Sequence, residues 1–129
     1  MEMEMEKKEV TERIKTFKDA LKETGRPNVP EFSDVPYDLR DYFKAQYKAT
    51  VITESLNEGW SADWEDRNQE KYIPWFLSKS PSGFAFHDAL CDCATPNAGY
   101  ASRLCFRTRA LAKYAGEHFL DIWKDLILK

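Results

Sequence analysis

His87, Cys91, Cys93 and Cys105 are the residues of this chain whose types could hold a metal ion or attack a substrate. Structural zinc sites separate paired ligands by two to four residues. Cys91 and Cys93 have a single residue between them. On a strand that places both thiols on one side, and cysteine is also an ordinary small core residue. The spacing therefore predicts no metal. A thiol nucleophile needs a histidine within hydrogen-bond reach. His87 could serve Cys91 or Cys105, whereas His118 falls on an apolar helical stripe and reads as a satisfied, half-buried residue. No Gly-rich phosphate loop, GxSxG elbow or recognisable oxyanion hole accompanies them. The sequence thus predicts no catalytic residue and no cofactor, and an enzyme is the least supported class.

Binding chemistry is better represented. Arg103, Arg107, Arg109 and Lys113 form a compact basic group. Guanidinium groups beside aromatic rings hold phosphates and stack on bases. Pairing of these cations with the acidic middle of the chain is the plainer expectation. Trp60, Trp64 and Trp75 all fall within NEGWSADWEDRNQEKYIPWF. Aromatic rings bury the most apolar area per residue, so this block is a packing centre or an aromatic binding surface. Asp63, Glu65, Asp66 and Glu70 surround Trp64 without the spacing of a calcium loop. They read as a solvated loop with Trp60 and Trp64 folded inward, or as acids facing a basic partner.

The composition bounds what these residues can do. The chain has 129 residues and a net charge of −3. Residues 31–70 carry ten acids against four bases, and residues 103–129 carry six bases against three acids. Nucleic-acid-binding domains are usually basic overall, which counts against that class. Three cysteines argue against a disulfide framework. No apolar run is long enough to span a bilayer, and the N-terminus lacks the apolar stretch of a secretory signal. The chain reads as cytoplasmic, and residues 1–129 read as a single domain. MEMEMEKKEV is low complexity, so residues 1–9 are expected to be a frayed or helical extension.

The elements that must position the candidate groups follow from hydrophobic period. Val10, Ile14, Phe17 and Leu21 predict a helix over residues 8–24, closed by Gly25. Residues 25–37 hold three prolines and should be a loop lying on the core. Leu39, Tyr42, Phe43, Ala45, Ala49, Ile52 and Leu56 predict a central helix, with Asp38 placed to cap it and Gly59 to end it. The period then becomes two. Tyr72 to Ser78, Gly83 to His87 and Tyr100 to Arg107 are expected strands, and residues 88–99 are ambiguous, able to extend the second strand to Cys93 and then turn at Thr95 to Gly99. Phe84, Phe86, Leu104 and Phe106 would share one face, leaving Arg103, Cys105 and Arg107 on the other. Thr108 can cap a last helix whose stripe runs from Leu111 to Leu126. The predicted fold is α+β: a small three-stranded antiparallel sheet with helices packed on one face.

The motifs NEGWSADW, KYIPWF, GFAF and SRLCFRTRALAKYAGEHFLDIWKDLIL resemble a family of small uncharacterised proteins of gut anaerobes and their prophages or other mobile elements. The resemblance covers roughly residues 39–128 and implies a mobile-element setting, with no activity, cofactor or site attached. The chain departs from the family pattern at Cys91 and Cys93, where relatives are more aromatic. The resulting expectation is a non-enzymatic binding protein with a protein partner and no membrane. Its surface would be the open sheet face with the Trp60 to Trp75 loop. The alternative is nucleic-acid or nucleotide binding through Arg103, Arg107 and Arg109.

Overall fold

The computed structural model describes residues 9–66, 68–91 and 103–129. The predicted first helix is broken in two, α1 (Val10–Arg13) and α2 (Phe17–Thr24). Local hydrogen bonding decides this. The Thr16 hydroxyl accepts from the Asp19 backbone N–H, and the Asp19 carboxylate accepts from the N–H groups of Thr16 and Lys15. This capping box starts a new helix at Phe17. The stripe Val10, Ile14, Phe17 and Leu21 survives the break and still points to the core, so the period alone could not reveal it. Gly25 closes α2 in the left-handed region, as predicted.

The proline-rich loop lies along α3 (Tyr37–Asn57). Tyr47 donates its hydroxyl to the Pro27 carbonyl. Arg40 donates to the carbonyls of Val35 and Ser33, at 2.7 and 2.9 Å. Phe32 takes a φ of 56°, a left-handed conformation that costs a bulky residue about 1–3 kcal/mol. Asp38 lies inside the first turn of α3, and the N-cap position is Pro36. At the other end Glu58 and Gly59 both have positive φ, which turns the chain out of the helix.

β1 (Tyr72–Leu77) and β2 (Ala85–Cys91) pair antiparallel. The register shifts by one residue between Trp75 and Phe76, where His87 is the extra residue of a bulge. The bulge re-aims the strand. Phe86 pairs with Phe76 and Ala89 pairs with Pro74, so both can face the core although three positions apart. Among the described residues the sheet has two strands rather than three. The described part of the expected third strand contributes one antiparallel bridge, with Phe106 and Tyr72 exchanging backbone bonds of 2.7 and 2.9 Å. Residues 100–102 lie outside the described residues.

The last helix is also divided, into α4 (Arg109–His118) and α5 (Leu120–Leu128), at Phe119. Thr108 caps α4 as predicted, accepting from the Leu111 N–H. α4 lies across the inner face of β1 and β2, while α3 packs against α2 and α5. Gly116 makes the closest approach. A Cβ there would stand 2.4 Å from Phe86 Cδ1, so the helix reaches the sheet only because position 116 has no side chain. Phe76 stacks on Phe84 and on Trp123 of α5, at centroid distances of 5.1 and 5.8 Å. One buried cluster joins Val10, Ile52, Leu56, Phe84, Phe106, Leu111, Ala115 and Trp123. The architecture is α+β, with the sheet covered on one face by helices.

Candidate functional site

The three predicted arginines occupy three different settings. Arg107 donates to Glu58 Oε1 at 2.6 Å, and its backbone N–H bonds Asn57 Oδ1 at 3.1 Å. Arg109 stands at the start of α4, with its guanidinium over the Tyr72 ring at 5.2 Å. It also donates to the Ala89 carbonyl and lies 3.7 Å from Asp88 Oδ1. Arg103 is exposed and makes no ion pair among the described residues. It borders α3 at Thr50.

Glu58 ties Arg107 to the N-terminal helices. Arg13 donates to Glu58 Oε2 at 2.8 Å and to Glu23 Oε2 at 3.0 Å. The hydrogen bond from Arg13 holds the Glu58 carboxyl below its ordinary range, with partial burial opposing and the charges of Arg13 and Arg107 reinforcing. A depressed folded-state value means stability present above the ordinary value of 4.5 and lost as pH falls through the folded value. Glu58→Gln should therefore lower stability by about 1 kcal/mol at neutral pH. In acid the variant and the parent should converge. Thermal melts across pH check this, and a gap unchanged in acid would assign the loss to shape instead of charge.

The three tryptophans also separate. Trp75 is on the outer face of β1 and is 47% exposed. Trp60 and Trp64 are half-buried and line a cleft of about 420 Å³ beside α3, with Thr50, Asn57 and Arg103. Local bonds position them. The Trp60 N–H bonds the Asn57 carbonyl at 3.0 Å as the chain leaves α3. Gln69 then pins the loop, accepting from the Asp63 N–H at 2.6 Å and donating to the Ser61 carbonyl at 3.3 Å. The Trp64 indole N–H is buried with no acceptor among the described residues.

Lys71 carried no signal in the sequence, where a lysine ahead of a strand reads as surface. It is 2% exposed. Its ammonium donates to the carbonyls of Asp66 and Gln69, at 3.2 and 3.0 Å, and sits 5.0 Å from the centre of the Trp64 ring. No carboxylate pairs with it among the described residues. The loop acids Asp63, Glu65 and Asp66 are exposed.

Cys105 is buried beside the cleft, Cys91 is exposed at the end of β2, and Cys93 lies outside the described residues. His87 is exposed in the bulge. His118 has a structural contact, its Nε2 lying 2.7 Å from the Lys15 carbonyl and its ring stacked on Tyr114. Among the described residues no three His, Cys, Asp or Glu side chains converge as metal ligands. Among them, too, no helix is long and apolar enough to cross a membrane. Set against protein-family models, curated proteins and solved structures, the chain matches none.

Proposed function

We propose that the chain is a non-enzymatic binding protein that engages a protein partner through the outer face of β1 and β2. One observation carries the reading. Trp75, Leu77 and Leu90 are 47, 41 and 44% exposed on the face opposite α4. Ile73 pairs with Leu90, so the apolar side chains adjoin across the two strands. Contiguous apolar surface of this kind marks interaction sites, and tryptophan is the residue type most enriched among binding hot spots. The mobile-element setting implied by the sequence resemblance belongs to the same proposal. Nucleic-acid binding on a surface of Arg103, Arg107 and Arg109 is the weaker reading, because two of these cations are committed to Glu58, Asp88 and the Ala89 carbonyl.

Affinity capture from the native host tests the proposal, with the parent chain and Trp75→Asp compared. Trp75 is exposed, so the substitution should leave the fold intact by circular dichroism. A partner held by the parent should be lost by the variant. Reconstituted from purified components, its affinity should fall by about 2 kcal/mol or more. An identical set of captured proteins from both chains would remove the outer sheet face from the proposal.

A further inference from the structure

We propose that the cleft between α3 and the Trp60–Trp64 loop binds a nucleotide, with the base on the indoles and the phosphate on Arg103. The site uses other elements than the outer sheet face, so it stands or falls independently of the protein-partner reading.

Charge supplies the first argument. Arg103 lines this cleft without a carboxylate partner among the described residues, and the carboxylate in the same lining, Glu54, is taken up by Arg26. Arg26 bonds both oxygens of Glu54, at 2.6 and 3.1 Å. A guanidinium presents a planar set of donors that matches phosphate. Arg103 has no carboxylate on its guanidinium among the described residues, whereas Arg107 is paired with Glu58 and Arg109 with the Ala89 carbonyl.

The walls supply the second. Lys71 is buried against one side of the Trp64 ring, its ammonium 5.0 Å from the ring centre. A cation there draws on the ring's electron density and favours an electron-rich flat partner on the other side. Trp60 adds a second indole within four residues. The Trp64 indole N–H is buried and has no acceptor among the described residues. One guanidinium and two indole planes in the same lining together complement a flat heterocycle bearing an anion.

Size and shape supply the third. The cleft of about 420 Å³ falls within the range of small-molecule sites. A second cavity of about 280 Å³, walled by Phe32, Phe43 and Tyr47, shares Thr50 and Arg103 with it. Arg103 thus stands between two aromatic compartments, where a phosphate joining two flat groups would lie. Phe32, in the wall of the second compartment, is one of the two non-glycine residues with positive φ among the described residues. Unusual backbone of this kind clusters at ligand clamps. Asp63, Glu65 and Asp66 are exposed in the loop that carries Trp64, and this negative charge repels a long polyanion, which favours one or two nucleotide units over an extended strand.

Calorimetric titration of the full chain with adenosine monophosphate tests the site. Saturable binding is expected, with adenosine alone and inorganic phosphate alone each weaker by about tenfold or more. Arg103→Ala should weaken adenosine monophosphate by about tenfold or more at an unchanged Tm, and Arg103→Lys should recover part of the loss. Trp60→Leu should weaken the nucleotide and adenosine alike while sparing phosphate. A short oligoadenylate that binds more tightly than the mononucleotide would support the chemistry and assign its source to the end of a single strand. No saturation by either nucleotide would overturn the proposal. So would binding that Arg103→Ala leaves unchanged. Capture of a peptide of aspartates and aromatic residues, with no response to adenosine monophosphate, would overturn it in favour of a protein ligand.

Discussion

Phe106→Ala should destabilise the chain by about 3–5 kcal/mol, the range for truncating a fully buried phenylalanine. Phe106 has no solvent exposure and belongs to the cluster that joins α3, the sheet, α4 and α5. Its backbone exchanges two hydrogen bonds with Tyr72, so the main chain is held in place when the ring is removed. The cavity then cannot close by local collapse, which puts the cost toward the upper end of the range. Domains of this size have about 5–15 kcal/mol in total, so the variant approaches the limit of foldability. Denaturant titration at constant slope measures the loss. A midpoint within error of the parent would show that Phe106 does not join the sheet to the helices.

Much of this core was legible because period carries it. Phe84, Phe86, Leu104 and Phe106 were expected on one face under Leu111, Ala115 and Phe119, and all of them belong to the central cluster or pack against it. The boundaries were less legible. The stripe of α1 and α2 is continuous in sequence, but the Thr16–Asp19 capping box interrupts the backbone beneath it. Phe119 likewise looks like one more apolar position, and it divides α4 from α5. The bulge at His87 is a tertiary device. It lets Phe86 and Ala89 face α4 together, which strict alternation forbids. Gly116 in a helix resembles a weak position until its distance to Phe86 is known.

The candidate site shows the same division. Residue type identified Arg103, Trp60 and Trp64, and these three share one cleft. Strand alternation placed Arg103 and Arg107 together, but that inference needed a strand running through both. The described residues give a single bridge at Phe106, and Arg107 turns to Glu58 instead. Lys71 and Asn57 were invisible because their roles come from what the fold brings to them. A lysine among charged neighbours has no period, and an asparagine near a helix end reads as a terminator.

Asn57→Ala should cost about 2–4 kcal/mol, because Asn57 spans 50 residues to satisfy two backbone groups at once. Its amide donates to the Cys105 carbonyl at 2.9 Å, and its carbonyl accepts from the Arg107 N–H at 3.1 Å. Asn57 is 4% exposed, so both bonds are made out of contact with bulk water. The cost is therefore more than the loss of two average hydrogen bonds, because a partly buried backbone donor at Arg107 loses its side-chain acceptor. Asn57→Asp separates the two bonds. It keeps an acceptor for Arg107 and sets an oxygen against the Cys105 carbonyl, so it should remain well below the parent in stability. Because the clamp holds residues 105–107, it also fixes the segment that carries Arg103 to the cleft. Hydrogen exchange at the Arg107 N–H should accelerate in Asn57→Ala before the chain unfolds globally, and adenosine monophosphate should bind more weakly under conditions where the variant is still folded. Exchange at Arg107 as slow as in the parent would mean that the bridge at Phe106 holds this segment without Asn57.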